Sequence, residues 1–183
     1  MSNSAGHTFA SQLLTLVIRP TLNSLSLGGT PAEMLVLGTA AHESRGFTAI
    51  KQIGGGPALS MWQIEPATVR DTINRCTVAA RDKIVDLLPS GALLGIDLHN
   101  TPFRELSDLC IKQLPGNLYL GAAMCRAVYY LKPFKMPSAN DPNIDEKILA
   151  KIWKQFYNTP LGAGKEQDFI DAWKRFDLGS LWE

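Results

Sequence analysis

Cysteine is scarce in this sequence: Cys76, Cys110 and Cys125 are the three in a chain of 183 residues. Their number is odd, their spacings are long, and no Cys-x-x-Cys pair occurs, which argues against a zinc site or a dithiol redox centre. Buried or partly buried free thiols in a reducing compartment are expected instead. Charge is also sparse. Asp, Glu, Lys and Arg make up 19% and the net charge is +1, so the field of the whole molecule argues against nucleic acid or an anionic membrane as the main partner. No long apolar run is present. Leu13 to Ile18 is far too short to span a bilayer, and the leading MSNSAGHTFA lacks the basic start of a secretory signal. The expectation is a protein made in a cytoplasm, not exported by the general route and not stably bound to membrane. Gly54-Gly55-Gly56 lacks the Gly-Lys-Ser/Thr ending of a phosphate loop, and His42-Glu43 opens a His-Glu-x-x-His zinc pattern that fails at Gly46. His7 and His99 have no ligand partners at useful spacing. Neither a metal nor an organic cofactor is expected.

What is present is a globular composition, with 45% hydrophobic residues, and a length suited to one domain over 1–183. Helical periodicity with Pro/Gly punctuation predicts a mainly α chain. Residues 8–27 read as helix with a kink or break at Pro20. Thr30-Pro31-Ala32-Glu33 reads as a capping box opening a helix to about Ser44, with Gly46 as its stop. Residues 46–65 read as loop and a small β-hairpin around the glycine run. Further helices are expected over 66–88, 102–114, 117–132, 144–157 and 164–176, with Asn117 and Asp141 as N-caps.

The chemistry concentrates in three segments: Ala41 to Phe47, Gly56 to Thr68, and Phe156 to Gly162. Glu43 falls at the C-terminal end of an apolar helix, where the partial negative charge disfavours another anion. A carboxyl there, beside a Gly-rich loop, is expected to hold its proton to higher pH and so to suit general acid catalysis on a glycosidic oxygen. Position alone favours a solvated glutamate at a frayed helix end. In the second segment the glycines permit close approach of backbone to a ligand. Trp62 offers either a stacking surface for a sugar or core packing, and Gln63 offers both donor and acceptor. His42 points about 100° away from Glu43 around the helix and reads as a packing or hydrogen-bonding residue.

In order and rough spacing, the three segments resemble the catalytic domain of the soluble lytic transglycosylases, within the lysozyme-like superfamily, over about 31–176. The pair Glu43-Ser44 is followed by Gly56-Pro57-Ala58-Leu59-Ser60-Met61-Trp62-Gln63-Ile64-Glu65-Pro66-Ala67-Thr68, which is similar to the family's Gly-Ala-x-Gly-Leu-Met-Gln-Ile-x-Pro-x-Thr stretch. Phe156-Tyr157-Asn158-Thr159-Pro160 matches part of its Ala-Tyr-Asn-Ala-Gly motif, and Leu120 to Leu131 resembles the helix before it. The resemblance implies a lysozyme-like fold with a small β-element beside the cleft and peptidoglycan glycan strands as the partner. It implies Glu43 as the catalytic acid, Ser44 as a group that orients acid or substrate, Gln63 in the sugar site with Met61 beside it, and Tyr157 as a tyrosine whose hydroxyl contacts the glutamate. It also implies cleavage without water, to a 1,6-anhydro-muramyl product. Ser60-Met61-Trp62-Gln63 departs from Gly-Leu-Met-Gln, Thr159-Pro160 departs from Ala-Gly, and residues 89–116 have no counterpart, which suits a divergent phage enzyme.

Two alternatives accompany this expectation. A muramidase would use the same Glu43 with a second carboxylate, for which Glu65 and Asp71 are candidates, although Glu65 also suits a helix start on dipole grounds. The phage-lysozyme spacing Glu-x8-Asp-x5-Thr fails, since it falls on Gln52 and Ala58. A non-catalytic glycan-binding or virion structural protein is the alternative of another class. The expected cleft lies between the 31–44 helix, the 53–65 loop and Tyr157. The expected molecule is a monomer that reaches the wall after release from the host cytoplasm or as part of a virion.

Overall fold

The computed structural model describes residues 3–94, 97, 100–138, 141, 144–158 and 162–182. The chain is mainly helical. Helix α1 covers Asn3–Gln12 and passes through a π-helical stretch, Leu13–Ile18, into α2, Arg19–Ser24. Then come α3 (Thr30–Glu43), α4 (Pro66–Arg75), α5 (Val78–Val85), α6 (Phe103–Gln113), α7 (Leu118–Tyr130), α8 (Glu146–Trp153) and α9 (Glu166–Arg175). A second π-helical stretch, Lys154–Asn158, continues α8. Among the described residues no helix is long and apolar enough to cross a membrane.

Two helices form the centre. In α3, Pro31 to Glu33 and Leu35 to Ala41 are all buried, and in α7 so is every residue from Leu120 to Tyr129. A helix apolar around its whole circumference has to be enclosed by others. The rest present one face each: Val69, Thr72 and Ile73 from α4, Leu106 and Cys110 from α6, Leu149 and Trp153 from α8, and Phe169, Ile170 and Trp173 from α9. Gly38 lets α9 approach α3, since a Cβ there would collide with Cζ of Phe169. Buried apolar residues from Ala10 to Leu178 make one contiguous cluster. All three cysteines are free and buried within it.

Several expectations from the sequence are corrected. The first helix is interrupted by the π-helical stretch ahead of Pro20 rather than by a break at it. Proline lacks the N–H of a regular helical bond, and Pro20 instead sits in the opening turn of α2. Thr30 and Glu33 form no capping box. Gly29, at φ +110°, is the N-cap of α3 with no side-chain cap, while the Glu33 carboxylate accepts from Arg19 at 3.0 Å. The helix expected over 66–88 is two helices, because Cys76 is extended and the Thr77 hydroxyl caps α5 by accepting from Ala80 N. Asn117 caps α7 as expected, but Asp145 rather than Asp141 caps α8, accepting from the N–H groups of Lys147 and Ile148.

No strand forms among the described residues of the 46–65 segment. Two isolated antiparallel bridges, Lys51 with Leu59 and Leu59 with Ile64, fold the loop back on itself. Left-handed residues at Gly54, Gly55, Ser60 and Gln63 break up any run long enough for a hairpin. Within the 89–116 segment, α6 packs on α4 and, with the residue that follows it, buries Leu106, Cys110 and Leu114. His99, Thr159 and Pro160 lie outside the described residues.

Candidate active site

Glu43 is the last residue of α3, and the turn beyond it is tightly tied. The Ser44 hydroxyl donates to Ala40 O and accepts from Phe47 N, both at 2.6 Å, and Gly46 N closes onto Ala41 O at 2.8 Å. Arg45 and Phe47 are both left-handed, at φ 54° and 63°. For residues other than glycine this conformation costs on the order of 1 kcal/mol each, and such strain clusters at functional sites. Ser44 is therefore fully buried and bonded to backbone. It holds the end of α3 in place and does not line the cleft.

A cleft of about 790 Å³ opens in front of Glu43, a size typical of ligand sites. His42 and Glu43 form its inner wall. Gln52, Ile53, Gln63 and Glu65 line it from the loop, and Tyr157, Asn158 and Gly164 from the chain after α8. Thr68 from α4 and Val128 from α7 also line it. These are the three regions the sequence brings together, with two helices added.

Burial raises the Glu43 carboxyl from its ordinary 4.5 to about 7, against a smaller opposing effect from a hydrogen bond with Trp153. The direction agrees with expectation, but desolvation rather than the helix end is its main cause. The hydrogen bond runs from Trp153 Nε1 to Glu43 Oε1 at 2.9 Å. Sequence reasoning missed Trp153, which lies 110 positions away. The available signal was that a buried indole N–H requires an acceptor.

Tyr157 lines the cleft, but its hydroxyl donates to Trp62 O at 2.7 Å and not to Glu43. The expected tyrosine–glutamate contact is replaced by the indole contact. Tyr157 is also held well above the ordinary phenol range, chiefly by burial. Trp62 is fully buried, and its Nε1 donates to Val36 O at 2.9 Å. It is core and not a sugar platform. Gly121 admits its ring, since a Cβ there would lie 2.6 Å from ring atoms. Met61 is buried beside it.

Gln63 reaches the cleft at φ 47°, with its Nε2 donating to Ser60 O at 2.8 Å. That leaves its amide oxygen able to accept from a ligand. Glu65 is the exposed N-cap of α4 and lines the same cleft. Asp71 is outside the cleft lining and pairs with Arg75 at 3.1 Å. The His42 ring meets Trp153 edge-on, with centroids 4.4 Å apart. Burial lowers its pKa, against opposing effects from Asp168. Among the described residues no group of three or more His, Cys, Asp or Glu is placed to hold a metal ion.

No family model matches the chain, and no curated protein or solved structure matches it.

Proposed function

We propose that this protein is a peptidoglycan lytic transglycosylase of lysozyme-like fold, with Glu43 as its acid and base. The observation that carries this reading is a desolvated carboxyl, raised to about 7, on the inner wall of a cleft shared with Gln63. Glu43 donates its proton to the oxygen of the bond after N-acetylmuramic acid as that bond breaks. The substrate's own N-acetyl group assists departure, which allows a single carboxylate to suffice. Glu43, now a carboxylate, takes the proton of the muramyl 6-hydroxyl as that oxygen closes on C1. The product is a 1,6-anhydro ring, and the acid is regenerated with no water consumed.

Three further features support this assignment. Left-handed backbone at Arg45 and Gln63 borders the cleft. The motifs Glu43-Ser44, Gly56 to Thr68 and Tyr157-Asn158 stand in the order of that family. Gln63 and Asn158 bring amide groups suited to hydroxyls and acetamides to the cleft. In this reading the enzyme is a divergent phage protein that meets the wall after release from the host or within a virion.

One observation favours a muramidase as the second reading: Glu65 lines the same cleft and is exposed to solvent. Zymography on embedded peptidoglycan tests the shared claim. Wild type clears the gel and Glu43→Gln does not. Absence of clearing by folded wild type would turn the assignment to a glycan-binding or virion structural role.

A further inference from the structure

We infer that Trp153 is a positioning residue that dictates which oxygen of Glu43 carries the transferable proton. The inference rests on the acid role proposed for Glu43. An indole N–H donates and never accepts, so its partner must present a lone pair. In a neutral carboxyl group the carbonyl oxygen is the better acceptor. Trp153 Nε1 lies 2.9 Å from Oε1, which makes Oε1 the carbonyl oxygen and Oε2 the hydroxyl. Among the described residues no other group hydrogen-bonds to Glu43, so Oε2 is left for the substrate.

The indole cannot turn away from this contact. It is fully buried at the end of α8. The His42 ring stands against it at 4.4 Å and the Phe169 ring at 5.7 Å, between centroids. On a third side the backbone passes so close that a Cβ on Gly164 would lie 2.7 Å from Cη2. Three separate segments, α3, α9 and the 162–165 turn, thus hold one N–H on one oxygen.

The same bond serves both halves of the reaction. Once Oε2 has given up its proton, the N–H···O contact becomes charge-assisted and strengthens. It therefore favours proton departure while leaving Oε2 free to recover a proton from the 6-hydroxyl. The charged or titratable groups around Glu43 are His42 and Arg45 beside it in sequence, Cys125 and Tyr129 on α7, Tyr157 after α8, and Glu65 across the cleft. Asp168 of α9 acts on His42. Since several of these affect any pH–rate profile, the titration has to be read on Glu43 itself.

The test replaces Trp153 by 3-benzothienylalanine, which keeps the ring shape and lacks the N–H, with Trp153→Phe as a second variant. The Glu43 carboxyl is followed by 13C NMR in protein labelled at glutamate, and its signal is identified by its loss in Glu43→Gln. Loss of a charge-assisted bond predicts an upward shift of the Glu43 titration by about one pH unit. The acid plateau of peptidoglycan lysis should fall about twofold, because the two oxygens then share the proton evenly. A Glu43 titration unchanged to within about 0.2 unit in the folded benzothienyl protein would overturn the inference, whatever the lytic activity. A shifted titration in a protein whose wild type never cleaves glycan would uphold the placement of the proton and overturn the functional reading alone.

Discussion

The Tyr157 hydroxyl donates to the backbone carbonyl of Trp62 at 2.7 Å, joining two walls of the cleft that lie 95 residues apart in sequence. The carbonyl belongs to the turn that presents Gln63, and the hydroxyl belongs to the π-helical stretch that presents Asn158. Tyr157 therefore ties the turn at Gln63 to the π-helical stretch after α8.

Removing the hydroxyl tests that role. Tyr157→Phe leaves a carbonyl without its partner and should lower stability by about 1–3 kcal/mol, measured by urea denaturation. The pH at which lysis loses activity should stay where it is in wild type, since the hydroxyl does not touch Glu43. A clear upward movement of that pH would show instead that the phenol acts on the acid.

Glu43 should make folding depend on pH. Its carboxyl is raised to about 7 from an ordinary 4.5, so between those values the folded chain holds the proton and the unfolded chain has lost it. Its contribution is thus fully present below about pH 4.5 and is lost as pH rises through about 7. The size is on the order of 3 kcal/mol. Calorimetry at pH 5 and pH 8 should show wild type losing several degrees of Tm relative to Glu43→Gln, in which this site cannot titrate. Parallel Tm curves for the two proteins would count against a buried, raised carboxyl.

Glu65 separates the two chemistries. Under the transglycosylase reading it only precedes α4 and borders the cleft, and Glu65→Gln should retain lysis within about threefold, because no second carboxylate enters the reaction. A loss of about a hundredfold or more with unchanged Tm would assign it the work of a base or nucleophile.

Much of this was legible in the sequence. Helical spacing of apolar residues and Pro/Gly punctuation place helices over 31–44 and 117–132, and the end of the first places Glu43 beside the Gly-rich loop. Local choices decided by distant partners were not legible. Thr30 and Glu33 carry a capping-box pattern, yet Arg19 draws the Glu33 carboxylate away. Trp62 could be assigned to either face only if it lay in a strand, and it lies in a turn whose direction is set by left-handed Ser60 and Gln63. The split at Cys76 and Thr77 arises because a threonine hydroxyl competes well for the first free N–H groups of a helix. The indole on Glu43 depends on how α8 docks beside α3, which no local pattern encodes.

In the proposed reaction Glu43 alone drives an intramolecular closure of the muramyl ring. Mass spectrometry of muropeptides released from purified peptidoglycan tests it most directly. A transglycosylase releases products one water lighter than the hydrolytic ones, ending in 1,6-anhydro-muramic acid and lost in Glu43→Gln. Products with a free reducing muramic acid would contradict it and make the protein a hydrolase.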